Sequence, residues 1–336
     1  MVKEGFLIRK KYLAILLVLS LLIVGGALVS CAGQDDEGED DNAADNNQEE
    51  QLTVQKDLTF GIVEWPGVTV KTQVVKEVLE NLGYNVTIEA LTQPILLKGL
   101  STGDIDVFLG AWFETLKSML QPYLDEGSIV VLGNNLEGTL YKAAVPAYVY
   151  DAGVTSLADI SDYGEKFGYK YYGIEPGNDG NQIMIDAIKN GTYNLGNWEV
   201  LESSTTAMLS QVEKATKDND WIIFSGWKPH WMNISFDIKY LDDPEGIWGG
   251  EGEVGTISKK TLPEDDPNIT RFLKQFKLKN EYQSEWILEY SKKGREADEV
   301  AKEWVANNVD VVTGWMEGVK TVDGKDAQEA IRNAYQ

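Results

Sequence analysis

The sequence predicts an α/β protein of two lobes with a cleft between them, and three observations carry that prediction. Apolar runs of strand length alternate with amphipathic helical stretches in two successive sets. A helical tail follows from Pro267 onward. With 336 residues, 43% of them apolar, the chain can bury one large or two medium cores. No internal repeat is strong enough to read as a duplication.

Taken in order, residues 58–64 read as the first strand. Val68, Val70, Val74, Val75, Val78, Leu79 and Leu82 then recur at helical spacing. Residues 85–90 read as a strand, 94–100 as a short helix and 105–110 as a strand. The second set has a strand over 169–174, helices over 181–189 and 207–215, and a strand over 221–225. The tail contributes helices near 271–276, 282–290, 297–307 and 327–334. Alternation of this kind predicts α/β units around a largely parallel sheet.

The N-terminus has the layout of an export signal. Lys3, Arg9, Lys10 and Lys11 precede an apolar run from Tyr12 to about Val29, followed by Ser30 and Cys31. Leu28-Val29-Ser30-Cys31 resembles a bacterial lipobox, in which the cysteine is acylated and becomes the new N-terminus. An uncleaved anchor is the other reading, since the run is nearly long enough to span a bilayer. The position of the only cysteine favours the lipoprotein, with residues 1–30 as its signal peptide. An acyl chain anchors through about 0.8 kcal/mol per buried CH₂. Residues 31–51 are acidic and amide-rich with no large apolar side chain, which predicts a disordered tether rather than a calcium site.

Composition excludes several functions. The chain carries 54 acidic and 30 basic residues, a net charge of −24. Loss of residues 1–30 would leave 26 basic and 53 acidic residues, or −27. Nucleic-acid binding needs basic grooves that displace counterions, so it is not expected. One Cys and one His exclude a disulfide framework and Cys- or His-rich metal sites, so neither metal nor cofactor is expected. Gly250-Glu251-Gly252-Glu253-Val254-Gly255 matches a dinucleotide fingerprint literally, but it follows no predicted strand and its glutamates would repel a pyrophosphate. No Walker A sequence and no G-x-S-x-G elbow is present.

Ten Trp and 15 Tyr are the compositional signal. Three apolar runs end alike: 59–64 in Trp65, 105–111 in Trp112, and 221–226 in Trp227. Ligands of open α/β sheets bind outside the carboxyl ends of strands, so these indoles are candidates for one pocket. Trp198, Trp248, Trp286, Trp304 and Trp315 carry no such signal and read as core. A fourth run enters Glu175-Pro176-Gly177-Asn178-Asp179-Gly180-Asn181, which opens a helix and offers backbone N–H groups or the Asn178 amide. The sole histidine, His230, reads either as a hydrogen-bonded turn residue or as a donor to a ligand anion. Indole walls suit a quaternary ammonium group, held at roughly 0.5–2 kcal/mol per ring when desolvated. Three or four rings plus buried methyls reach the roughly 8 kcal/mol of a micromolar complex. Trp-rich clefts also stack on sugars, and paired carboxylates among the 54 acidic residues keep a carbohydrate-binding or glycosidase reading open.

From about Leu52 onward the chain resembles the substrate-binding proteins of ABC importers for glycine betaine and choline. The resemblance lies in Ile105-Asp106-Val107-Phe108-Leu109-Gly110-Ala111-Trp112, in Asn135-Leu136-Glu137-Gly138, in the run from Tyr172 to Asn181, and in Gly226-Trp227-Lys228-Pro229-His230-Trp231. It implies a two-lobe periplasmic-binding-protein-like fold of type II with the ligand in the interlobe cleft. Lobe I would comprise residues 52–146 and 245–336, and lobe II residues 147–244. It also implies an aromatic box of Trp65, Trp112, Tyr141 and Trp227, with Asn178 a polar contact; Tyr141 enters on the resemblance alone. Choline-binding members carry an acidic residue two positions after the first box Trp, where this chain has Gly67. Betaine-binding members use backbone amides and the histidine matched by His230, which choline-binding members also keep. Gly67 at a helix start would supply such amides. The loop motifs look closer to the choline branch, while the lost acid favours betaine. The expected function is therefore a lipid-anchored monomeric receptor, not an enzyme, on the extracytoplasmic face of the membrane. It would deliver glycine betaine or a related betaine to a permease with its ATPase, with choline as the alternative.

Overall fold

The computed structural model describes residues 54–336. The export segment, Cys31 and the acidic stretch lie outside the described residues. No helix among the described residues is long and apolar enough to cross a membrane.

The chain opens with a βαβ unit. Strand β1 (Asp57–Ile62) lies parallel to β2 (Asn85–Ala90), in register from Asp57↔Asn85 to Ile62↔Ala90. The crossover helix α1 (Pro66–Asn81) has Pro66 in its first turn, where the missing N–H costs nothing. Val68, Val70, Val74, Val75 and Val78 of α1 are buried. β-Branched residues are modest helix formers, so packing holds this helix: about 1.5–3 kcal/mol per buried side chain outweighs a few tenths of propensity. Helix α2 (Gln93–Thr102) leads into β3 (Val107–Trp112), parallel to β1, and α3 (Phe113–Asp125) follows directly.

Next comes an 18-residue strand, β4 (Ile129–Pro146). A second parallel cluster contains β5 (Lys170–Tyr172), β6 (Glu199–Leu201) and β7 (Phe224–Lys228), connected by the helices Asp179–Asn190 and Thr205–Asp218. The short β8 (Ile238–Tyr240) pairs with β4, and β9 (Gly252–Lys259) returns the chain to the first half. Strand order is β2-β1-β3-β9-β4-β7-β5-β6. Helices Pro267–Gln275, Asn280–Ile287, Ala297–Asn307, Val309–Gly314 and Ala327–Ala334 complete the fold.

The sheet is mixed, which corrects the expectation of a largely parallel one. The two outer clusters are parallel, but β9 runs antiparallel to β3 and β4, and β4 runs antiparallel to β7. Four strands were not anticipated: the short β6 and β8, and β4 and β9, whose glycines imitate loops. β4 contains Gly133-Asn134-Asn135 and Gly138, a turn-forming composition. In the fold these residues sit where the β4–β9 register shifts, between Val131 and Gly133, Asn134 and Leu136, and Glu137 and Thr139. Bulges of this kind bend a strand without ending it. β4 accordingly pairs with β9 up to Thr139 and with β7 from Leu140 onward, joining the two halves of the sheet.

Candidate functional site

The residues around the change of partner in β4 converge on one cavity, a cleft enclosing about 510 Å³ of non-atom space with its open mouth included. Its lining includes Trp65, Gly67, Lys71, Trp112, Tyr141, Asn178, Asp179, Trp227 and Gln283. The three indoles that were expected together are therefore brought together. Only Trp65 arrives as expected, beyond a strand end at the start of α1. Trp112 is the last residue of β3, prolonged past Gly110 by the pair Trp112↔Val254 with β9. Trp227 lies within β7, opposite Tyr141 on β4, because Trp221–Ile223 precede the paired part of that run.

Tyr141 is the hub of the aromatic wall. Its ring centroid is 6.0 Å from Trp112 and 5.9 Å from Trp227, both edge-on, and Trp248 backs it at 5.1 Å. Edge-to-face contacts at this spacing fix ring planes at about 0.5–1.5 kcal/mol each. The Tyr141 hydroxyl donates to Asn178 Oδ1 at 2.9 Å, and burial holds its pKa well above the usual phenol value. Trp65 is held from the far half of the sheet: its Nε1 donates to Glu175 Oε2 at 3.1 Å, while Glu175 Oε1 accepts from Thr205 N and Oγ1.

Asn178 caps the helix Asp179–Asn190. Its Oδ1 accepts from Gly180 N at 2.8 Å and Asn181 N at 3.2 Å, besides Tyr141. Its Nδ2 donates to Asp179 Oδ1 at 3.0 Å, leaving one amide N–H without a partner among the described residues. Asp179 is buried, and desolvation raises its pKa above the ordinary carboxyl value. Its Oδ2 accepts from Thr115 Oγ1 at 2.5 Å, and its N–H donates to Gln93 Oε1 at 2.9 Å. These contacts tie α2 and α3 of the first half to the second.

Gly67 sits in the first turn of α1, and a Cβ there would lie 2.9 Å from Gln283 Nε2. Trp65, the N-cap residue, makes no side-chain capping bond, so first-turn N–H groups remain available at the positive helix end. His230 is not on the cavity lining. Its ring packs against Trp227 at 4.9 Å and Trp231 at 5.1 Å. Nδ1 accepts from Met232 N at 3.1 Å, so the neutral tautomer carries its proton on Nε2, which is buried without a partner among the described residues. Burial pushes its pKa down to about 3, so it serves only as a neutral donor.

Sequence reasoning missed Lys71, Asp179 and Gln283. Lys71 had a visible signal, a charged residue on the apolar stripe of α1 at i−3 and i−4 from Val74 and Val75. It is 1% exposed, and its Nζ donates to Asn135 Oδ1 at 2.7 Å and Leu109 O at 3.3 Å. Desolvation lowers its pKa from 10.5 to about 7. Between those values the unfolded chain binds more protons than the folded one, so Lys71 makes stability rise with pH from about 7 toward 10.5. The full effect is on the order of 5 kcal/mol at most. Lys71→Met is therefore expected to stabilise the ligand-free protein most at pH 6.5 and least near pH 10, by urea denaturation. An equal change at both pH values would contradict a lysine carried at this cost.

Among the described residues no group of three or more His, Cys, Asp and Glu is arranged to hold a metal ion. The arrangement offers a walled aromatic half for an alkylated cation and a polar half with N–H donors.

Comparison with known proteins agrees with this chemistry. The family model for the substrate-binding domain of ABC-type glycine betaine transport systems matches residues 56–307. A 165-residue stretch, 49% of this chain, is 40% identical to the glycine betaine/carnitine transport binding protein GbuC of Listeria monocytogenes. The match spans 55% of that relative's length. Among solved structures, an ABC-transporter choline binding protein in complex with choline is 33% identical with a TM-score of 0.82, over 84% of this chain and 98% of that one. The glycine betaine, L-proline binding protein ProX of Borrelia burgdorferi is 30% identical with a TM-score of 0.75, over 82% of this chain and 100% of that one.

Proposed function

The chain belongs to the family of substrate-binding domains of ABC-type glycine betaine transport systems, and from that premise we propose that it is the receptor of such a system for glycine betaine or a related betaine. The observation that carries this reading is the convergence of Trp65, Trp112, Tyr141 and Trp227 on one cavity. A trimethylammonium group cannot donate conventional hydrogen bonds, and ring faces stabilise it where water is excluded. Asn178 N–H and the first-turn amides at Gly67 are the donors proposed for the carboxylate end, while His230, expected among them, lies behind Trp227 and braces that ring.

The proposed lobes are residues 52–146 with 245–336, and residues 147–244; β4 of the first pairs with β7 of the second over Leu140–Ala144. A hinge near Thr139–Leu140, where β4 changes partner, supports closure of the lobes over the ligand. The Thr115–Asp179, Gln93–Asp179 and Trp65–Glu175 hydrogen bonds would then latch the closed form. In this reading Cys31 is acylated and holds the protein as a monomer on the extracytoplasmic face, where it hands the ligand to a permease and its ATPase. The acidic stretch serves as the tether.

A choline-specific receptor is the second reading, favoured by the likeness to the choline-bound structure. Gly67 is one position that bears on the choice, since choline-binding members carry an acidic residue there. Gly67→Asp is expected to shift preference toward choline, because a carboxylate there would accept from an alcohol and repel a carboxylate. A Cβ at Gly67 would lie 2.9 Å from Gln283 Nε2, so that amide has to yield. Competition between choline and glycine betaine checks it, and an unchanged ratio removes Gly67 as the discriminator.

A further inference from the structure

The cavity holds a charge that the box does not use. Lys71 is a buried amine on its lining, and both of its hydrogen-bond partners, Asn135 Oδ1 and Leu109 O, are neutral. Its third N–H has no acceptor, and Lys71 forms no ion pair, among the described residues. On the same lining Gln283 is also buried, and its Nε2 is the amide donor available to a ligand oxygen. A buried charge without a counter-ion is costly, and the cost is recovered only when an anion arrives.

We propose that Lys71 is the specificity-determining residue of the cavity, the cation that receives the ligand's carboxylate, with Gln283 beside it. This rests on the reading of the cavity as a quaternary ammonium site. It makes that site one for a zwitterion: alkylated nitrogen against the rings, carboxylate against Lys71. A ligand carrying the same cation with an alcohol or an ester brings no counter-charge. A charge-assisted hydrogen bond in a dry site is equivalent to roughly ten- to a hundredfold in affinity. Lys71 therefore sets carboxylate over alcohol, while the rings set the alkylated nitrogen.

The test measures dissociation constants by calorimetry for glycine betaine, its methyl ester and choline, on the full wild-type chain and on Lys71→Met, Lys71→Gln and Trp112→Ala. Wild type should prefer glycine betaine to the ester at least tenfold. Both Lys71 variants should lose glycine betaine at least tenfold while binding the ester and choline as well as, or better than, wild type does. Trp112→Ala should lose all three together. Equal wild-type affinity for glycine betaine and its ester overturns the proposal without any variant. So does retention of the wild-type preference in Lys71→Met or Lys71→Gln. A Trp112→Ala protein that binds all three ligands normally overturns the cavity reading itself, which is a separate result.

Discussion

Trp112→Ala and Trp227→Ala should each weaken glycine betaine binding at least tenfold. Each indole would contribute a ring face to the cation and apolar contact to its methyls, roughly 1–3 kcal/mol together. Each also braces Tyr141, from 6.0 Å and 5.9 Å, so truncation frees the ring it leaves as well. Trp227 is the more constrained of the two, because its backbone is paired opposite Tyr141 in the β4–β7 ladder. The ladder itself does not depend on the indole, so near-ultraviolet circular dichroism should report a folded protein while calorimetry reports the loss. Wild-type affinity in both variants would remove the cavity from the account.

Gly180→Ala should damage the same site from behind. A Cβ at Gly180 would lie 2.3 Å from the Tyr141 hydroxyl oxygen and 2.5 Å from Cζ, far inside van der Waals contact. With Trp112, Trp227 and Trp248 around its ring, Tyr141 can give way only toward the cavity it lines. Either the hydroxyl gives up Asn178 or the start of the helix Asp179–Asn190 moves, carrying Asp179 away from Thr115. Overpacking of this kind costs about 1–3 kcal/mol of stability, and the displaced ring should cost at least tenfold in betaine affinity. Gly196→Ala is the control, since a Cβ there meets nothing within 4 Å, and it should change neither quantity measurably. If Gly180→Ala matches that control in denaturation and calorimetry, Tyr141 is not held as described.

Much of this was legible in the sequence, for reasons that differ by residue. The first βαβ unit and the helical tail were readable because their elements keep one period each: β2 over Asn85–Ala90 and the tail helix Ala297–Asn307 match their expected spans, while the three-residue β6 was too short to show. β4 and β9 were not, because bulges and glycines hide a long strand behind turn-forming composition. That omission propagated to the site. Without β9, β3 was expected to end at Gly110, and without β4 no local pattern marked Tyr141. Trp112 and Trp227 were selected as residues beyond strand ends, and they meet through antiparallel pairing instead. His230 shares a motif with Trp227 but lies behind the indole, a distinction that spacing alone does not carry. Lys71 interrupted an otherwise valine-rich stripe, and an unpartnered charge on a buried face is a signal any helical projection contains.

The central claim is that this cavity captures a quaternary ammonium zwitterion, and its rings report on it. The direct measurement is a titration of the full chain with glycine betaine, proline betaine and choline, followed by intrinsic tryptophan fluorescence. The account predicts a saturable change with a betaine at micromolar concentration and a weaker response to choline. No change with any of the three, under conditions where the protein is folded, would contradict it.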